Sequence, residues 1–200
     1  MGAKSVPILK TTSDTTRATL ASAICGDGTF LVPMMLIFKG TWNRRIMKKD
    51  FPAFAPVCLF ACQENAWMDE EYMITWVDKI LAPYVSTAPV GIVPLLVLDY
   101  YRCHMMASSV VHRVQNLSVE VEHIPGGSTA LCQPLDVGLN KPLKVHIRRK
   151  WNKWMVEEGV LGKKAAPPTR ELIVQWTINS WWNLSEKNMK IPGGMGIHLV

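Results

Sequence analysis

Two acids in this sequence stand where carboxylates could act on phosphate esters. Asp99 closes the apolar run Pro94-Leu95-Leu96-Val97-Leu98, and Asp136 stands in Gln133-Pro134-Leu135-Asp136, with 36 residues between the two. Carboxylates delivered from separate elements can share divalent cations, and cleavage of a phosphodiester uses such a cluster. Two Mg²⁺ ions roughly 3.5–4 Å apart activate the attacking oxygen and stabilise the leaving one. Hard carboxylate oxygens suit Mg²⁺. Spacing alone leaves a plainer alternative open, in which Asp99 caps a strand end and Asp136 starts a helix. Just beyond Asp136, Lys141, Lys144 and Arg148 recur at i, i+3, i+7, which places three cations on one helical face. Cations so placed suit a phosphate backbone, and a solvated basic surface is the alternative.

Eight Lys and Arg residues fall between positions 141 and 164 and are opposed only by Glu157 and Glu158, so this stretch carries the whole net charge of +6. A concentrated basic stripe is the footprint of a polyanion partner. The length of 200 residues and the 48% hydrophobic content suffice for one domain with a real core and exclude a disordered chain. The longest apolar runs, 30–38 and 90–98, contain proline and fall well short of the about 18 residues a membrane helix needs. Lacking a secretion signal as well, the chain is expected in the cytosol or nucleus. The 5 cysteines, an odd number, read as reduced thiols, and Cys58-x3-Cys62 has no matching pair at zinc-site spacing. Trp151, Trp154, Trp176, Trp181 and Trp182 read as core or interface residues rather than base-stacking platforms.

The elements that must position these residues follow from periodicity. A hairpin is expected from 18–25 and 29–38 around the turn Gly26-Asp27-Gly28, with Pro33 at a bulge or edge. Residues 40–66 read mostly as loop, with a short strand over 57–61. Asp69 is an N-cap, and Met73, Trp76, Val77, Ile80 and Leu81 follow at helical spacing until Pro83 ends the helix. The run ending at Asp99 predicts a strand buried on both faces. Beyond it come a helix over 105–117, a strand over 119–124, and a long helix over 140–158 with Leu143, Ile147, Trp151, Trp154 and Met155 inward. Thr169 caps a last helix to Trp182, and the Gly-rich end from Pro192 is expected to fray. The order implies an α/β sheet of mixed strand direction covered by helices.

The wording around the two acids is more specific than their spacing. Leu95-Leu96-Val97-Leu98-Asp99-Tyr100-Tyr101-Arg102-Cys103-His104 resembles the second-acid motif of the DDE superfamily in its pogo and Tigger branch, with His104 at the place of that motif's His. Tyr100 stands where the family usually has Asn. The run 124–137, Ile-Pro-Gly-Gly-Ser-Thr-Ala-Leu-Cys-Gln-Pro-Leu-Asp-Val, is similar to the third-acid motif, and Asn140-Lys141-Pro142-Leu143-Lys144 continues it. Gly2-Ala3-Lys4-Ser5-Val6, Arg17-Ala18-Thr19-Leu20, Ile37-Phe38-Lys39-Gly40 and Glu64-Asn65-Ala66-Trp67-Met68-Asp69 resemble the same family in the same order, so the likeness runs nearly to Glu158.

The resemblance implies an RNase H-like fold, a Mg²⁺ or Mn²⁺ site of three acids that includes Asp99 and Asp136, an auxiliary role for His104, and DNA as substrate in the nucleus. It places residues 1–160 in a partial transposase domain and 161–200 in a linker and helix extending it. It also implies a first acid on a strand before Gly2, and Met1 directly precedes Gly2. Asp14, in a Thr/Ser-rich stretch, and Asp27, in a turn, are poor substitutes. The expectation is therefore a sheet lacking its first strand, with edges left unpaired, weak metal binding and little nuclease activity. Two forms of this remain open, a fragment of an active transposase and a host-retained module that binds DNA or assembles proteins. A homo-oligomer is compatible with either.

Overall fold

The computed structural model describes residues 17–26, 32–41, 46–54, 58–99, 108–125, 127, 138–157, 168–185 and 196–199. Seven strands are described: β1 (Ala18–Ala21), β2 (Ala23–Cys25), β3 (Met34–Lys39), β4 (Cys58–Gln63), β5 (Leu95–Leu98), β6 (Glu120–His123) and β7 (Gly196–Leu199). They form two sheets, in the orders β1-β3-β4 and β2-β7-β5-β6. β1 pairs with β3 antiparallel and β2 with β7 antiparallel, whereas β3–β4, β5–β6 and β5–β7 are parallel. Only Ser22 separates β1 from β2, so one extended segment serves both sheets.

Alternation along the strands divides the core into two faces. Ala21, Ala23, Cys25, Met35, Ile37, Leu96 and Leu98 point into one cluster with Tyr72, Met73, Trp76, Ile80, Val110 and Val114. Those helical residues belong to α1 (Glu70–Trp76), to the π-helical stretch Val77–Leu81 that follows it, and to α3 (Ser108–Gln115). On the other face Ile24 and Met34 meet Leu139, Leu143, Trp181 and Leu184, while Leu36 and Phe38 meet Ile46, Phe54 and Val174. These come from α4 (Asn140–Glu157), α5 (Arg170–Ser185) and the short helical turns Ile46–Asp50 and Phe51–Ala53. The result is a mixed sheet surface between two helical layers.

Local signals set the helix ends. The Asp69 carboxylate accepts a hydrogen bond from the Tyr72 amide at 3.1 Å, and Glu70 and Glu71 lie at the positive end of the helix dipole. Thr169 Oγ1 accepts from the Leu172 amide at 3.2 Å and opens α5. Pro83 does not end the first helix: the chain continues into α2 (Ala82–Val85), with the proline in its first turn. The wider π-helical turn just before it explains this, because a proline ring is excluded by the carbonyl four residues back only when the preceding turn is regular.

Three other expectations change. Residues 46–53, read as loop, form a wide π-helical turn followed by a tight 3-10 turn, and Phe51 and Phe54 pack on Phe38 and Phe60 with ring centroids 4.9–6.3 Å apart. The strand expected at 57–61 runs to Gln63 because it is the parallel partner of β3, which extends to Lys39. Residues 196–199, expected to fray, form β7 between β2 and β5, so those two edges are paired rather than open. Tertiary pairing overrides the Gly-rich local signal there. Leu96 is 0% exposed in the face under α1 and α3. Leu96→Ala is expected to lower unfolding free energy by about 2–5 kcal/mol, read as an earlier urea midpoint with an unchanged slope.

Candidate nucleic-acid interface

β5 delivers Asp99. The strand is apolar throughout because it is paired on both edges and covered on one face by α1 and α3, and the run turns polar one residue past Leu98. Asp99 is half-buried there. The Leu98 carbonyl accepts from the Ile124 amide at 2.8 Å, which ties the tip of β5 to the end of β6.

Strand register brings a second element to the same level. Leu98 pairs with Leu199 and His123, and Leu199 pairs with Ala23, so one row crosses the sheet just before Asp99. The next row is Ile24, His198, Val97 and Glu122. Ile24 belongs to the apolar cluster that holds Leu139 and Leu143, the start of α4. β2 is two strand spacings from β5, about 10 Å. The start of α4 therefore packs on the face of the sheet that carries Ile24 and Met34.

α4 then turns a basic side outward. Lys141, Lys144 and Arg148 are all exposed, as the sequence expects, and Arg149 and Lys153 are exposed further round the helix. A neighbouring side carries Leu143, Ile147, Trp151 and Trp154, the last two stacked edge-on against Trp176 of α5 with centroids 6.4 Å apart. These tryptophans are thus interhelical packing. Lys153 lies 3.7 Å from Glu157, an exposed pair.

Of the residues singled out from sequence, Asp99, Lys141, Lys144 and Arg148 are placed, while Asp136, His104, Asp14 and Asp27 lie outside the described residues. Among the described residues no group of three or more His, Cys, Asp or Glu side chains could hold a metal ion. Asp99 alone therefore does not constitute a fit for Mg²⁺, although its oxygens are of the right chemistry. Cys58 and Cys62 are free and lie four residues apart on β4, about 13 Å along a strand, too far to share one zinc ion. Burial pushes the Cys58 thiol up to about 12, which keeps it protonated and inert.

Two links between the helices were not visible in the sequence. Arg113 on α3 forms a two-pronged pair with Asp78 at 2.8 Å, which raises the guanidinium pKa further, and Ser109 Oγ donates to Glu70. Both are exposed contacts between residues 35 to 39 positions apart, with no local pattern to announce them. They hold α3 against α1, the layer behind β5. No helix among the described residues is long and apolar enough to cross a membrane.

The described residues thus form a mixed α/β domain with an acid at the tip of a parallel strand and a helix that exposes several cations. The profile of the DDE superfamily endonuclease family matches residues 16–191, and the chain belongs to that family. Its curated relatives include the pogo transposable element with KRAB domain of Mus musculus, 28% identical over 181 residues, and that of Homo sapiens, 26% identical over 177. Each alignment covers 86% of this chain, which spans only 28% and 27% of those proteins. The human pogo transposable element with ZNF domain is 28% identical over 130 residues, 64% of this chain and 8% of that protein. No solved structure matches.

Proposed function

We propose that this chain is a DNA-binding domain derived from a DDE transposase, in which α4 lays its basic side on the phosphate backbone and Asp99 and Asp136 form a weak Mg²⁺ or Mn²⁺ site. The observation that carries this is the exposure of Lys141, Lys144 and Arg148 on α4 in a chain whose strand β5 ends at the half-buried Asp99. Asp136 lies three residues before Leu139 in the sequence, within chain reach of the start of α4. The fold proposed for the domain is RNase H-like, with residues 161–200 as its extension, and His104 as a side chain that orients phosphate or metal-bound water. Nuclear location goes with a DNA partner.

Two carboxylates hold a divalent ion less firmly than three, so residues 1–200 by themselves are expected to bind DNA more readily than to cut it. An enzyme reading keeps support from the family match, in which case these residues are one part of a larger Mg²⁺-dependent strand-cleaving and joining protein. The alternative is a retained module that binds DNA or assembles proteins without cutting.

The basic side is tested by salt dependence. Lys144→Glu with Arg148→Glu is expected to weaken duplex binding and to reduce the slope of log affinity against log salt by about 2, one unit per lost phosphate contact. An unchanged slope returns these side chains to a solvated surface. For the acids, Mn²⁺-dependent nicking of supercoiled plasmid is expected to be slight and to vanish in the Asp99→Ala, Asp136→Ala double variant. Nicking that survives the double substitution shows that the site lies elsewhere.

A further inference from the structure

A second basic run is hidden in the overall charge of the chain. Between Asp27 and Asp50 there is no acid, whereas Lys39, Arg44, Arg45, Lys48 and Lys49 are all cations, and acids elsewhere in the chain cancel this local excess. The run ends in the π-helical turn Ile46–Asp50, where Lys48 and Lys49 are both exposed.

That turn is fastened at both ends. Ile46 is 4% exposed and packs in the cluster of Phe38, Phe54, Cys62 and Val174. At the other end Asp50 is held by Arg170 at 2.9 Å. The one acid within the turn is therefore committed to α5, and among the described residues neither Lys48 nor Lys49 has an ion pair. The backbone beneath the two lysines is set by packing, so a contact made there has only side chains to order.

The same contacts fix where the turn lies relative to α4. Leu36 and Phe38, beneath the turn, belong to the sheet face that α4 and α5 cover. α4 and α5 pack antiparallel: Leu143 joins Trp181 and Leu184, whereas Trp151 and Trp154, about two turns further on, stack on Trp176. α4 thus runs towards the N-terminal end of α5, and Arg170, the first residue of α5, holds the lysine turn at that end. Helix and turn are parts of one layer on one face of the sheet, joined through α5.

We propose that Lys48 and Lys49 are a second contact for the DNA backbone, so that one duplex lies across the outer side of this layer and meets α4 and the turn together. Two surface ammonium groups without a carboxylate partner complement phosphate and carry no fork geometry for reading bases. Phosphates repeat along a duplex, and each further one that is neutralised releases another counterion. This rests on the DNA-binding reading of α4 and adds a site to it.

Salt titration of duplex affinity tests the turn separately from the helix. Lys48→Glu with Lys49→Glu is expected to weaken binding and to lower the slope of log affinity against log salt by about 2, and the quadruple variant with Lys144→Glu and Arg148→Glu by about 4. Circular dichroism and the melting temperature are expected to stay as in the unsubstituted chain, because both lysines are exposed and Ile46 and Asp50 keep the turn in place. Lys79→Glu controls for net charge: Lys79 is exposed on the stretch Val77–Leu81, in the helical layer on the opposite face, and its reversal is expected to leave the slope unaltered. A slope unmoved by Lys48→Glu with Lys49→Glu, where Lys144→Glu with Arg148→Glu does lower it, overturns the second contact and leaves the reading of α4 standing. Equal losses from Lys48→Glu and Lys79→Glu overturn it too, since net charge then accounts for the effect. No duplex binding by the unsubstituted chain overturns the underlying reading, and the second contact with it.

Discussion

The extended segment from Ala18 to Cys25 is the constraint on which the other parts rest. It pairs with β3 through its first half and with β7 through its second, and the period of two runs unbroken through the buried Ser22. Ala21, Ala23 and Cys25 therefore face α1 and α3, while Leu20 and Ile24 face α4 and α5. A slip of one residue would send each set to the wrong layer. The small residues on the first face leave room for Trp76, which is 0% exposed against it, whereas the second face offers branched side chains to the helices that carry the basic strip.

From that segment the geometry of the interface follows in steps. Ile24 and Met34 offer the face on which the start of α4 packs, β7 sets the spacing from β2 to β5, and β5 sets where Asp99 emerges. None of these links involves a charged side chain; they are apolar packing and backbone ladders. The charged groups sit at the ends and outer sides of elements whose positions are set by apolar packing, so the electrostatic surface can vary in sequence without moving its frame. The two cross-helix contacts, Arg113 with Asp78 and Ser109 with Glu70, are exposed and stabilise the α1–α3 layer only modestly. The partly buried pair of Arg170 with Asp50, at 2.9 Å, fastens α5 to the π-helical turn Ile46–Asp50.

Much of this was legible in the sequence because the signals are local. Asp69 and Thr169 announce helix starts, the spacing of Met73, Trp76 and Ile80 announces a buried face, and Leu95–Leu98 announces a strand, of which only the Leu96 and Leu98 face is fully buried where burial on both faces was expected. The cations of α4 could be placed on one side from their positions alone. What was not legible depends on partners far along the chain. Nothing in Gly196–Leu199 marks a strand until β2 and β5 are seen to need one between them, and Pro83 stops a helix only when the turn before it is regular. The mixed α/β class and the family likeness hold, with the family match spanning residues 16–191. The acid pair is legible as two motifs, and only its first member has a described position.

The claim on which the functional reading turns is that Asp99 and Asp136 share one divalent ion next to the start of α4. Paramagnetic broadening of backbone amide signals by substoichiometric Mn²⁺ measures this directly, since the effect falls steeply with distance from the ion. The expected result is that signals flanking Asp99 and signals flanking Asp136 fade together, and that Asp99→Asn and Asp136→Asn each protect both groups. Broadening centred elsewhere, or confined to one of the two acids and indifferent to substitution of the other, contradicts a shared site.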